Sequence, residues 1–208
     1  MKLIFDIGAN VGKGANSYSV KYPEAKIILV EANQDLCSGM KLKYERNKNF
    51  EILNYAVSHT NDIDLSFYIS EGYPEISTAS KDWIENSRFT NLYSWNKEVK
   101  VKTITIDELV KRYGSPDLIK VDVENYEYEV FQGLTKKHKD ICFEWVCEKY
   151  ESTNKCCLYL ESLGYENFGF VELDNPLNYP TKYTDWKSSD FHSYIKGYKL
   201  KWGMMWCK

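Results

Sequence analysis

Strand-length apolar runs alternate with helix-spaced stretches through the first 58 residues. Residues 2–7 (KLIFDI), 25–33 (AKIILVEAN) and 50–58 (FEILNYAVS) are runs rich in Ile, Leu, Val and Phe. An unbroken apolar run of this length is the pattern of a strand covered on both faces, whereas a half-exposed strand alternates. Residues 14–22 and 34–47 lie between them with helical spacing. A β-α-β-α-β order predicts a parallel sheet with right-handed crossovers.

The pattern changes in the middle of the chain. Residues 63–70 (IDLSFYIS) alternate and predict an added or edge strand, while 71–97 are polar, aromatic and poorly periodic. A loop of that length inside a compact domain is expected to be functional. Residues 98–114 (EVKVKTITIDELVKRYG) predict an extended segment and then a short helix, capped near Thr105–Asp107 and closed by Gly114. Strands follow at 116–125 (PDLIKVDVEN), 140–148 (DICFEWVCE), 165–173 and 197–208, with helices at 127–134 and 152–163. An aromatic loop is expected from 174 to 196. No repeat or linker divides the chain, so residues 1–208 are expected to form a single α/β domain.

Composition narrows the classes of function. The formal net charge is −3 and no dense Lys/Arg run occurs, so the sequence carries no electrostatic footprint for nucleic acid. The six cysteines show no CxxC pair and no zinc spacing, and Cys156 and Cys157 are adjacent. Free thiols and the lack of a signal peptide or a membrane-length apolar run predict a cytoplasmic protein with no membrane span.

The candidate chemistry begins at Asp6-Ile7-Gly8-Ala9-Asn10-Val11-Gly12, where the first strand ends. Open α/β sheets bind ligands at the carboxyl ends of their strands, and glycines let the backbone approach a ligand closely. Glu31, at the end of the second strand, has the spacing of a carboxylate that accepts from ribose hydroxyls. A dinucleotide fingerprint fails in both frames: from Gly8, Asn10 and Lys13 occupy the glycine positions, and from Gly12 the series breaks at Ser17. Asp6 would repel a pyrophosphate and suits a cation. A sulfonium beside an amino group, as in S-adenosyl-L-methionine, has that polarity. The bland alternative is that Asp6 caps the next helix and the glycines only make a turn.

The segments FDIGANVG, VEAN, NYAVS, VKTITIDEL and DLIKVDVENYEYEVFQGL together resemble the FkbM-type S-adenosylmethionine-dependent methyltransferases over roughly residues 3–148. The resemblance implies a class I, Rossmann-like three-layer sandwich with a mostly parallel seven-stranded sheet and an antiparallel last strand. It implies methyl transfer to a hydroxyl of a sugar or glycan. By resemblance, Asp6, Gly8, Ala9, Asn10 and Gly12 surround the methionine part of the cofactor. Glu31 and Ala32 meet the ribose, Ala56 lies near the adenine, and Asp122 and Glu124 belong to the acidic block, from which Asp122 also joins the cofactor site. The family pattern usually has glycine where this chain has Asn125. It also usually carries sequence ahead of the first strand, so a minimal form, or a domain of a longer chain, is expected.

A sugar hydroxyl must lose its proton to attack a methyl group, and Asp122 is the leading candidate base. Asp122 and Glu144 could instead hold a divalent cation, Mg²⁺ or Mn²⁺, which acidifies the hydroxyl. Glu124 is a further catalytic candidate, and His192, in the aromatic loop, is an alternative base. Lys120, two residues before Asp122, is expected to pair with a carboxylate. Rings at 73–95 and at 179–194 are expected to overhang the pocket, which makes 71–98 and 174–196 candidate acceptor-side loops for a carbohydrate or glycoside. Other readings are a small-molecule or phenolic O-methyltransferase, a nucleotide-dependent oxidoreductase and a non-catalytic binding module.

Overall fold

The computed structural model describes residues 2–172, 179–183 and 202–208. A seven-stranded sheet carries strands β1 (Leu3–Ile7), β2 (Lys26–Glu31), β3 (Phe50–Asn54), β7 (Leu118–Val121), β8 (Asp140–Val146), β9 (Phe168–Glu172) and β10 (Trp202–Cys207). Their order is β3-β2-β1-β7-β8-β10-β9. The pairs β1–β2, β2–β3, β1–β7 and β7–β8 are parallel, whereas β10 runs antiparallel to both β8 and β9. The strand order reverses beside β1, so the crevice between the carboxyl ends of β1 and β7 is the topological switch point where such sheets receive ligands.

Alternation along each strand assigns the two faces of the sheet. Ile4, Ile27 and Leu29 point to the side covered by α1 (Lys13–Lys21) and α2 (Gln34–Lys43), where Tyr18 and Met40 are fully buried. Phe5, Ile7, Ile28 and Val30 point to the other side, against α4 (Ile106–Tyr113), α5 (Glu127–Phe131) and α6 (Tyr150–Ser162). The result is the expected three-layer sandwich. Thr105 caps α4 by accepting from the Glu108 N–H at 3.0 Å, and Gly114 closes it at φ 97°.

Two parts of the chain depart from the pattern-based expectation. The single strand expected over 50–58 is two strands in two sheets. After β3 the chain turns at Tyr55, and β4 (Ala56–Val57) pairs with β6 (Lys97–Ile104), itself antiparallel to β5 (Asp64–Ile69). Both halves are apolar, so hydrophobicity alone does not mark the change of sheet. The stretch 71–97 contains a 3-10 turn at Pro74–Ile76 and helix α3 (Lys81–Asn86), whose N-cap Ser80 accepts from the Trp83 N–H at 3.2 Å. Tertiary bonds shape this stretch: Trp95 Nε1 donates to the Ile76 carbonyl at 2.8 Å, and Arg88 forms an ion pair with Glu148.

Gly133, just after α5, touches the turn that follows β4. A Cβ there would lie 2.4 Å from the Ser58 carbonyl oxygen and 3.2 Å from Thr105 Cβ. Backbone on one side and a capping residue on the other cannot yield easily. Gly133→Ala is therefore expected to destabilise the fold by about 1–3 kcal/mol, measured in urea as a lower midpoint at unchanged slope.

Candidate active site

The loop leaving β1 is built to lie close to β7. Gly8 has φ 75°, and a Cβ on it would sit 1.7 Å from the Asp122 carbonyl oxygen. Only glycine fits there. The Gly8 N–H donates to the Val30 carbonyl at 2.9 Å, and the Asp122 N–H donates to the Ile7 carbonyl at 3.1 Å. Gly12, at φ 76°, then starts α1. Tyr44, from the end of α2, donates its hydroxyl to the Gly12 carbonyl at 2.9 Å and braces the loop from behind.

Glu31 ties this loop to the end of β2. One carboxylate oxygen accepts from the Asn10 N–H at 2.9 Å and the other from the Asn33 N–H at 2.7 Å. The residue is 7% exposed. Burial pushes its carboxyl above the ordinary value of 4.5, while the two N–H bonds and the Lys120 charge pull the other way. Each oxygen keeps lone pairs for a ligand. Asn54, the last residue of β3, donates to the carbonyls of Glu31 and Ala32 at 3.0 and 2.9 Å and holds the turn in place.

A buried lysine bridges two carboxylates at the centre of the crevice. Lys120 and Asp122 share a face because they are two residues apart along the strand direction. Lys120 is 6% exposed, and its Nζ lies 3.2 Å from the Gly8 carbonyl, 3.1 Å from Asp122 Oδ2 and 3.5 Å from Asp6 Oδ1. Asp6 is itself buried, and its Oδ2 lies against Gly14, where a Cβ would come within 2.8 Å. Sequence reasoning anticipated that Lys120 pairs with a carboxylate but not that it joins both acids and the glycine turn. The signal was a charged residue inside a four-residue buried strand.

Beyond Asp122 the chain makes an acidic turn. Glu124 and Asn125 both have left-handed backbone, φ 56° and 66°. Such conformations cost non-glycine residues on the order of 1–3 kcal/mol each. Neighbouring bonds hold them: Glu127 accepts from the Val123 N–H at 3.0 Å, and Thr78 Oγ1 donates to the Glu124 carbonyl at 2.7 Å. Burial, then the adjacent Asp122 and Glu127, raise the Glu124 carboxyl well above the usual range. Burial pushes the Glu127 carboxyl up to about 8. Carboxylate oxygens of Asp122, Glu124 and Glu144 all lie within 4.8 Å of one another.

These groups open into one cavity of about 360 Å³. Asp6, Gly8, Ala9, Asn10, Glu31, Ala32, Ala56, Asp122, Glu124 and Glu144 all line it. Gly12 does not; it stands behind, at the start of α1. His192 lies outside the described residues. Val57, Phe67 and Tyr126 line it as well, as do Ile76, Trp83, Arg88 and Phe89. Trp83 packs edge-on against Phe89, which meets Tyr93 at 5.6 Å between ring centres. Of the aromatic loop expected at 174–196, only 179–183 are described.

Residues 6–167 match the Methyltransferase FkbM domain family. The hexuronic acid methyltransferase AglP of Haloferax volcanii is 29% identical over 144 residues, covering 68% of this chain and 53% of that protein. The chain thus spans about half the length of that relative. Among solved structures, precorrin-6y C5,15-methyltransferase from Geobacter metallireducens superposes with a TM-score of 0.51 at 11% identity, over 100% of this chain and 79% of that one. Aeropyrum pernix fibrillarin, solved with natively bound S-adenosyl-L-methionine, gives 0.50 at 11% identity, over 100% and 66%. Both likenesses show the class I methyltransferase fold, with its sheet of seven strands. With the family match spanning most of its 208 residues, the chain belongs to the FkbM methyltransferase family.

Proposed function

We propose that the protein transfers a methyl group from S-adenosylmethionine to a hydroxyl of a sugar or glycan. The observation that carries the reading is the arrangement across one cavity: Glu31, fixed by two backbone N–H groups, stands on one side, and Asp122, Glu124 and Glu144 cluster on the other. Glu31 receives the ribose hydroxyls. The adenine lies on the apolar wall of Ala56, Val57 and Phe67. Even with the proton that burial keeps on Glu124, Asp6, Glu31, Glu75, Asp122 and Glu144 outnumber Lys13, Arg88 and Lys120 around the cavity, which favours a sulfonium donor over a pyrophosphate. The natively bound donor in fibrillarin and the substrate in the name of AglP support the two halves of the reading.

The enzyme's main contribution is alignment of an attacking oxygen with the methyl carbon and the departing sulfur. Asp122 takes the hydroxyl proton as the O–C bond forms; the C–S bond breaks, and sulfur leaves as a neutral thioether. Asp122, Glu124 and Glu144 are an all-oxygen donor set of the kind that suits Mg²⁺ or Mn²⁺. A cation held by them would lower the pKa of the acceptor hydroxyl. Residues 71–98 form the acceptor side, where rings beside Ser77 and Arg88 suit a sugar's apolar face and polar rim. A net charge of −3 favours such an acceptor over a nucleic acid. Among the described residues no helix is long and apolar enough to cross a membrane, and no disulfide joins any of the six cysteines. Six unbridged cysteines favour a cytoplasmic setting.

Calorimetry is expected to detect S-adenosylmethionine and no NAD; the reverse result would refute the reading. Glu31→Gln should weaken donor binding by about 1.5–3 kcal/mol, the worth of hydrogen bonds to a charged group. Because burial raises the Glu31 pKa, wild-type affinity should fall on acidification at a higher pH than an exposed glutamate would give, and the Gln variant should lack that dependence. Asp122→Asn should keep donor affinity but lose turnover by about 10²-fold or more. Chelation should depress turnover and added Mn²⁺ or Mg²⁺ restore it; indifference to chelator would remove the cation from the mechanism.

A further inference from the structure

Asn125 stands where the family pattern usually has glycine, at φ 66° directly after Glu124 at φ 56°. Glycine would make the same turn without strain. What asparagine adds is a carboxamide, and that group reaches across to the acceptor side. Its Nδ2 donates to Ser80 Oγ at 3.1 Å and to Asp82 Oδ2 at 3.2 Å. Ser80 is the N-cap of α3, and Asp82 lies in that helix's first turn. The asparagine Oδ1 is buried with no hydrogen-bond partner among the described residues, so the carboxamide is held through its nitrogen.

Other ties of this region reach a different strand end. Lys149 pairs with Asp82, and Arg88 pairs with Glu148; both partners follow β8. Thr78 Oγ1 grips the Glu124 carbonyl, ahead of α3. The Asn125 side chain joins the turn after β7 to α3 itself. We propose that Asn125 is a positioning residue that locks the Asp122–Glu124 turn to α3, and so sets the spacing between the acidic face and the wall carrying Trp83, Arg88 and Phe89. Its role in turnover rests on the methyl-transfer reading above. Its role as a clamp does not. Glu31, the donor-side carboxylate, is held by the Asn10 and Asn33 N–H groups and makes no bond to the clamp.

The test compares wild type, Asn125→Gly and Asn125→Asp as full chains. Glycine removes the clamp and the strain together; aspartate keeps the side-chain shape, removes the donor and sets a second carboxylate against Asp82. Hydrogen exchange reads the clamp directly. In Asn125→Gly, exchange across 80–86 should quicken by about tenfold, with the thermal midpoint shifted by no more than about 4 °C. Donor Kd from calorimetry should move by less than about twofold, while kcat/KM for methylation of p-nitrophenyl glucuronide should fall about tenfold through kcat and the acceptor KM. Asn125→Asp should be worse than Asn125→Gly on both readouts. Unchanged exchange in Asn125→Gly would overturn the clamp, whatever the acceptor proves to be. Faster exchange with unaltered acceptor kinetics would overturn the positioning role. A wild type that fails to bind S-adenosylmethionine would sink the methyl-transfer reading, and the exchange result would still decide the clamp.

Discussion

The spacing between two peptide segments governs the site. The exit of β1 at Gly8 lies so close to the Asp122 carbonyl that no side chain fits between them. This contact makes the crevice at the switch point a single surface shared by two strands. It brings Asp6 and Asp122 near enough for one ammonium, Lys120, to reach both as well as the Gly8 carbonyl. It also aims the loop through Asn10 toward Glu31, whose carboxylate fixes it. A larger residue at position 8 would disturb all of these together.

Electrostatics follow from that packing. The crevice gathers more carboxylates than cations in a partly dry space, where each unpaired negative charge is expensive. Three responses are visible. Lys120 offsets one of the two charges of the pair at the centre. Backbone N–H groups satisfy Glu31. Glu124 and Glu127 keep their protons to higher pH, chiefly through burial. The negative surplus that remains is the feature that would favour a positively charged donor over its neutral demethylated product.

Much of this was legible in the sequence, and the parts that were not share a cause. Strands β1, β2, β7 and β8 are short apolar runs ending in or near acids, so both their existence and the site at their carboxyl ends could be read from residue order. The break at Tyr55 could not, because sheet membership is decided by partners rather than by apolarity. Helix α3 was hidden in a poorly periodic stretch: its N-cap is local, but its place is set by Asp82 with Lys149 and by Arg88 with Glu148, far apart in the chain. The reach of Lys120 was hidden for the same reason: its contacts span 112 residues to Gly8. Glu144 was visible as an acid within a strand, but its closeness to Asp122 and Glu124 is a property of the parallel register.

The turn at Tyr55 has a wider meaning. By leaving the main sheet there, the chain founds a separate three-stranded sheet, β4-β6-β5, and the whole stretch between Ile69 and Lys97 is the connection of its β5–β6 hairpin. A hairpin connection can lengthen, shorten or change composition without altering the register of the seven parallel and antiparallel strands beside it. The fold therefore separates a constant sheet from a variable tip: if the proposed acceptor role of this connection holds, evolution or an engineer could exchange one hairpin tip for another and keep Glu31 and the glycine loop.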